Sequence, residues 1–142
     1  MKVVAAIFAV VGTPVLLACS GSVKRETASL VAAVDRYERA DDASKGAQVQ
    51  AVAAVACSAA QVCDAKRACL AAMEPTAQAL ALKEEVAARI EDLQNKRLSQ
   101  DSPEAQALPG KLDLAAKLLK EGRAKMPACE RKLADLRIAS GA

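Results

Sequence analysis

Hydrophobic residues follow two different rules along this chain. Over residues 3–17 they form an almost unbroken run behind Met1 and Lys2, and Lys2 is the only charged side chain ahead of Lys24. A basic start followed by an apolar run of this length is the pattern of an export signal. The run is shorter than the roughly 20 residues that a membrane-spanning helix needs. From Lys24 onward the apolar positions recur every three or four residues, which predicts helices with one buried face.

The first such stripe is Leu30, Val34 and Tyr37. The polar stretch Asp41, Asp42, Ala43, Ser44, Lys45 and Gly46 is its first weak point. A turn there would give four helices, an exposed patch on one long helix would give three. With no Pro and a single Gly, worth about 1 kcal/mol in a helix, the spacing favours continuity. Val49, Val52, Val55, Ala56 and Ala59 carry the stripe on. Ser58 and Gln61 have capping-box spacing, which would stop one helix near Cys57 and start another running to about Met73. Glu74-Pro75 predicts a firmer boundary, since Pro suits a first helical turn and not an interior.

The next helix, 75–98, has Leu82, Val86, Ile90 and Leu93 on its buried side and Lys83, Glu84, Arg89, Glu91 and Lys96 toward solvent. Residues 99–104 predict a turn, with Ser102 as cap and Pro103 in the first helical position. The last segment places Leu108, Leu112, Ala115, Leu119, Gly122 and Met126 on one face. Pro109-Gly110 and Pro127 predict a kink or short break each, and Cys129, Leu133 and Leu136 continue the stripe to about Ile138. Antiparallel packing of helix 75–98 against the helices before and after it follows from short turns at Pro75 and at 99–103.

Composition sharpens this picture. Hydrophobic residues are 53% of the 142, yet aromatics are 1%, and Phe8 lies in the first run, leaving Tyr37 for the domain. A core of Ala, Val, Leu and Cys is thin at about 25 cal/mol per Å² of buried area. Ala in turn permits close helix approach and has the best helix propensity. The formal charge of +3 is mixed along the chain, which argues against a nucleic-acid partner.

Leu16-Leu17-Ala18-Cys19 closes the first run and resembles the lipobox of bacterial lipoproteins: a Leu three residues before a Cys, a small residue, then the Cys. The resemblance covers only the first twenty or so residues. It implies export, cleavage after Ala18 and diacylation of Cys19. Ser20, rather than Asp, after the Cys implies the outer membrane, facing the periplasm or the surface. Residues 1–18 are then a signal peptide, 19–23 a short Ser/Gly tether and 24–142 the domain. An ordinary signal peptide cut at Ala18 or Ala28 is the plain-secretion alternative.

Four further cysteines, Cys57, Cys63, Cys69 and Cys129, form an even set suited to an oxidising compartment. Within an unbroken helix, residues six apart are separated by about 9 Å and residues twelve apart by about 18 Å. A disulfide needs its Cα atoms within about 7 Å. A Cys57–Cys69 bridge is thereby disfavoured, and Cys57–Cys63 becomes feasible if the chain breaks at Ser58. Folding the last helix back at about residue 101 sets Cys129 level with about residue 73, near Cys69. The expected bridges are Cys57–Cys63 and Cys69–Cys129.

Catalytic signals are weak. The chain has no His, so the usual general base and the usual partner of a Cys nucleophile are missing. Cys spacings of six do not fit a zinc site, and no metal or cofactor is expected. Glu84-Glu85 and Asp41-Asp42 diverge by about 100° on a helix and read as solvated faces. Lys111, Lys117, Lys120 and Lys125 form a loose basic strip interleaved with Asp113 and Glu121. It reads as a solvated face, or more sharply as a contact for anionic lipid or cell-wall polymer.

The sequence thus predicts an all-α protein: a small antiparallel bundle of three to four helices, lipid-anchored in the bacterial envelope. It would bind or scaffold an envelope protein partner without enzymatic activity. A small-ligand carrier with an apolar groove between Ala-lined helices is the second reading. A cell-wall enzyme, which needs paired carboxylates in one cleft, is the third.

Overall fold

The computed structural model describes residues 19–141, so the expected signal peptide, residues 1–18, lies outside the described residues. The fold is all-helical: α1 spans Cys19–Arg39, α2 Lys45–Ala53, α3 Ala60–Gln94, α4 Pro103–Gln106 and α5 Leu108–Ser140. No strand occurs among the described residues. Residues 19–23, expected as a tether, form the first part of α1.

The chain breaks between α1 and α2, where continuity was expected. Asp41 Oδ1 accepts the Ser44 N–H at 2.8 Å, closing a turn that competes with the helix. Lys45 Nζ then donates to the carbonyl oxygens of Tyr37, at 2.6 Å, and Glu38, at 3.2 Å. Those acceptors belong to the last turn of α1, where carbonyls run short of helical donors; the Tyr37 carbonyl also takes the Ala40 N–H at 3.3 Å. The same ammonium lies 4.5 Å from the centre of the Tyr37 ring. One lysine therefore ends α1 and begins α2.

Pro75 does not end a helix. α3 runs for 35 residues with Pro75 buried inside it, roughly 50 Å end to end, so the expected helices on either side of Glu74-Pro75 are one. Packing on α5 outweighs the local cost of the missing N–H. The Thr76 hydroxyl donates to the Ala72 carbonyl at 3.0 Å one turn back. α5 likewise runs unbroken through Pro127. The break expected near Pro109 falls at Ala107, between α4 and α5, with Pro109 in the first turn of α5. The chain reverses at residues 95–102, and Ser102 Oγ caps α4 by accepting the Ala105 N–H at 3.2 Å.

α3 and α5 share the longest seam. Ala65, Ala72, Ala79 and Val86 on α3, and Leu108, Ala115, Gly122, Cys129 and Leu136 on α5, recur every seventh residue and are buried. A strict heptad with small residues brings the two backbones close. Cys69 meets Cys129, Thr76 meets Gly122 and Glu85 meets Lys111, so numbering falls on α5 as it rises on α3.

The core fills one half of this pair. It combines Leu30, Val34 and Tyr37 of α1 with Val49 and Val52 of α2, Val62, Ala65, Cys69 and Met73 of α3, and Cys129, Leu133 and Leu136 of α5. Beyond it, α3 and α5 continue to the turn at 95–102 as a two-helix arm. Of the stripe expected on helix 75–98, Val86 is buried and Leu82 and Leu93 are half-buried, while Ile90 is 41% exposed. Ile90 lies on the arm, past the core.

Candidate functional site

The two ends of the molecule differ. At one end the start of α1, the start of α3 and the end of α5 meet: Gly21, Val23 and Lys24 line one depression with Gln61, Ala139 and Ser140. This end is clamped by Glu26. Its carboxylate accepts the backbone N–H of Ser58 at 2.9 Å, that of Ala59 at 3.2 Å, and the Ser58 hydroxyl. Ser58 is thus not the expected N-cap. Ala59 holds that position without a side-chain bond, and the α1 carboxylate binds the two N–H groups just ahead of the helix. The three donors, led by the Ser58 hydroxyl, hold the Glu26 carboxyl below the ordinary carboxylate range.

The arm forms the other end. Ile90, Leu112 and Leu114 are 41%, 45% and 47% exposed there. Its turn is ordered by charge. Arg97 Nε lies 2.8 Å from Asp92 and its guanidinium also reaches Glu91 at 3.5 Å, while Arg89 reaches Asp92 at 3.2 Å. Arg97, foremost, keeps the Asp92 carboxyl ionised below its usual range. Lys96 adopts a left-handed conformation, φ 56°, and the Arg97 N–H returns to the Asp92 carbonyl at 2.8 Å to close α3.

Cys19 is the first residue of α1, and the lipidation expected of its side chain lies outside what the structure describes. The other four cysteines stand in two pairs at disulfide distance. Cys57 and Cys63 have Cα atoms 5.3 Å apart across the turn into α3. Cys69 and Cys129 have theirs 4.5 Å apart across the α3–α5 seam. The first pair is half-buried, the second almost fully buried.

Two acidic residues are paired with lysines of the basic strip. Glu85 pairs with Lys111 and Glu121 with Lys125, and each ammonium lowers its partner's pKa by hydrogen bond and charge. Two of the four lysines of the basic strip are therefore engaged. Among the described residues no three His, Cys, Asp or Glu side chains are placed to hold a metal ion. No helix of those residues is long and apolar enough to cross a membrane. An open depression of about 380 Å³ between α2 and α3 has a mixed lining, with Gln50, Glu74 and Gln78 beside Val49, Ala77 and Ala81.

Sequence reasoning passed over Glu26, Lys45 and the Asp92–Arg97 pair. Glu26 acts on backbone 32 and 33 residues away, whereas Lys45 and the Asp92–Arg97 pair act across turns of eight and five residues, which helix periodicity does not announce. The seven-residue repeat of the seam was available in the sequence, obscured by its small residues. No protein-family model, curated protein or solved structure matches this chain.

Proposed function

We propose that this chain is a lipid-anchored, non-enzymatic contact protein of the bacterial cell envelope, an antiparallel helical bundle that presents its two-helix arm to an envelope protein partner. The anchor rests on Leu16-Leu17-Ala18-Cys19. Two acyl chains on Cys19 suffice for stable attachment. The antiparallel arrangement is supported by the register of Cys69 with Cys129, Thr76 with Gly122 and Glu85 with Lys111.

The observation that carries the reading is polarity of the rod. The start of α1 lies beside the end of α5, whereas the arm with Ile90, Leu112 and Leu114 lies toward the opposite end. A lipid on Cys19 therefore leaves the arm pointing away from the bilayer, roughly 50 Å out along α3. Of the large apolar side chains exposed among the described residues, Ile138, 81% exposed, lies at the anchored end, while Ile90, Leu112 and Leu114 lie on the arm, where they suit contact with a protein.

The test has two halves. Intact mass spectrometry of the membrane fraction should find a diacylated N-terminal Cys19, and Cys19→Ala should release the protein from membranes. A Cys19→Ala protein that stays with membranes after high-salt washing would refute the anchor. A photo-crosslinking residue at position 90 or 112 of the acylated protein should capture an envelope protein in cells. Failure at both positions, with capture from the core end instead, would refute the arm as the contact surface.

A further inference from the structure

The two cysteine pairs differ in everything except chemistry. Cys69 and Cys129 are 0% and 1% exposed, lie on the α3–α5 seam, and close a loop of 60 residues. Cys57 and Cys63 are half-buried, lie at the turn that leads into α3, and are six residues apart. On chain-entropy reasoning a ring that short removes about half as much entropy as the long one.

The turn that Cys57 and Cys63 span is also held without them. Glu26 binds Ser58 and Ala59 through three hydrogen bonds. Lys66 Nζ donates to the Val55 carbonyl at 2.7 Å, tying the first turns of α3 to the residues just before the ring. Val62, inside the ring, is fully buried in the core. None of those contacts runs through the sulfur of Cys57 or Cys63, although Cys57 also packs against the edge of the core. The other pair is enclosed in the α3–α5 seam, where an external thiol reaches it only if the two helices part.

We infer that Cys57 and Cys63 form a thiol–disulfide exchange site for external thiols, small-molecule or protein-borne, while Cys69 and Cys129 form a permanent brace. An incoming thiolate attacks the Cys57 sulfur, forming a mixed disulfide there and expelling Cys63 as the thiolate. Cys63 is the suitable leaving group because it lies in the first turn of α3, where the helix end favours negative charge. A second thiolate then attacks the external sulfur of the mixed disulfide and frees Cys57. The two external thiols leave as one disulfide, so two electrons and two protons pass to the pair. The same steps reversed let the reduced pair open a partner's disulfide. This requires the exposure and the redundant turn, and is independent of the lipid anchor.

The experiment uses the oxidised native protein in glutathione or dithiothreitol without denaturant, quenched with iodoacetamide and mapped by mass spectrometry. Cys57 and Cys63 should be alkylated together at least about tenfold faster than Cys69 and Cys129, with helical circular dichroism unchanged. Equal rates for the two pairs would overturn the assignment, as would resistance of Cys57 and Cys63 until the helical signal is lost. A second measurement uses Cys63→Ser, which leaves Cys57 alone. Glutathione disulfide should convert Cys57 in the folded variant to the glutathione mixed disulfide, and a free, unmodified thiol would likewise overturn the site.

Discussion

Gly122 of α5 lies directly against Thr76 of α3. A Cβ placed on Gly122 would overlap the Thr76 hydroxyl and stand 2.7 Å from the Ala72 carbonyl oxygen. The hydroxyl can rotate away; a helical backbone carbonyl cannot. This is the point at which the two longest helices approach most closely among the glycines, and it sits one turn from buried Pro75. Gly122→Ala should therefore destabilise the fold by about 1–3 kcal/mol, the usual cost of overpacking. The double variant with Thr76→Ala should recover part of that loss and not all of it, because the carbonyl conflict remains. Thermal melts of the four proteins of the cycle would check both statements.

How much of this was written in the sequence depends on the range of the interaction. Helix content, the turn at 99–103 and which cysteines stand at disulfide distance follow from local spacing and from hairpin registration. Registration worked because the seam is one continuous helix facing another, although Pro75 argued for a boundary. A proline carries a local penalty, and the burial of Ala72, Ala79 and Val86 against α5 is a nonlocal gain that outweighs it. The α1–α2 break was misjudged for the converse reason. Asp41 and Lys45 have ordinary helix propensities, and their effect lies in bonds to Ser44, Tyr37 and Glu38 that the propensity scale omits. The arm was not foreseen because a stripe on one helix does not say where its covering neighbours stop.

Glu26 gives a pH-dependent prediction. Its carboxyl is held below the ordinary value of 4.5 by the Ser58 hydroxyl first and then by the Ser58 and Ala59 N–H groups. A depressed folded pKa adds stability that is fully present above the unfolded value and is lost as pH falls through the folded one. Glu26→Gln should lower the melting temperature at pH 7. The gap between variant and parent should narrow as pH drops below 4.5. A gap that stays constant from pH 7 to pH 3 would show that the charge of Glu26 contributes nothing.

Thr27 offers a prediction of the opposite sign. It is fully buried on α1, and its hydroxyl has no hydrogen-bond partner among the described residues. Thr27→Val keeps the shape and removes the unsatisfied group, so it should stabilise the fold by about 1 kcal/mol. Urea denaturation with an unchanged slope and a higher midpoint is the expected result.

The brace between Cys69 and Cys129 closes 60 residues, for which chain-entropy reasoning gives roughly 4 kcal/mol. Cys69→Ser and Cys129→Ser should each lower the melting temperature by a similar amount, and the double variant should fall little further. Cys57→Ser should cost about half as much or less, since its six-residue ring is worth roughly 2 kcal/mol on the same reasoning and the turn is also held by Glu26 and Lys66. Non-reducing peptide maps that link Cys129 to Cys57 or Cys63 would contradict the pairing.

The arm supplies the last prediction, which separates stability from contact. Val86 is 2% exposed on the seam, and Leu112, 45% exposed, lies on the arm's surface. Val86→Ala removes buried methyl groups and leaves a void between α3 and α5, so about 1–3 kcal/mol of stability should go with it. Leu112→Asp places a charge where water already reaches, and such surface changes usually stay within about 0.5 kcal/mol. If the arm is the contact surface, partner capture from position 90 should nevertheless fall at least about tenfold with Leu112→Asp, a loss of about 1.4 kcal/mol in binding. Val86→Ala, still folded below its melting transition, should keep capture close to the parent level. The reverse outcome, with capture tracking stability and indifferent to Leu112, would mean that the partner reads the fold as a whole and not the exposed arm.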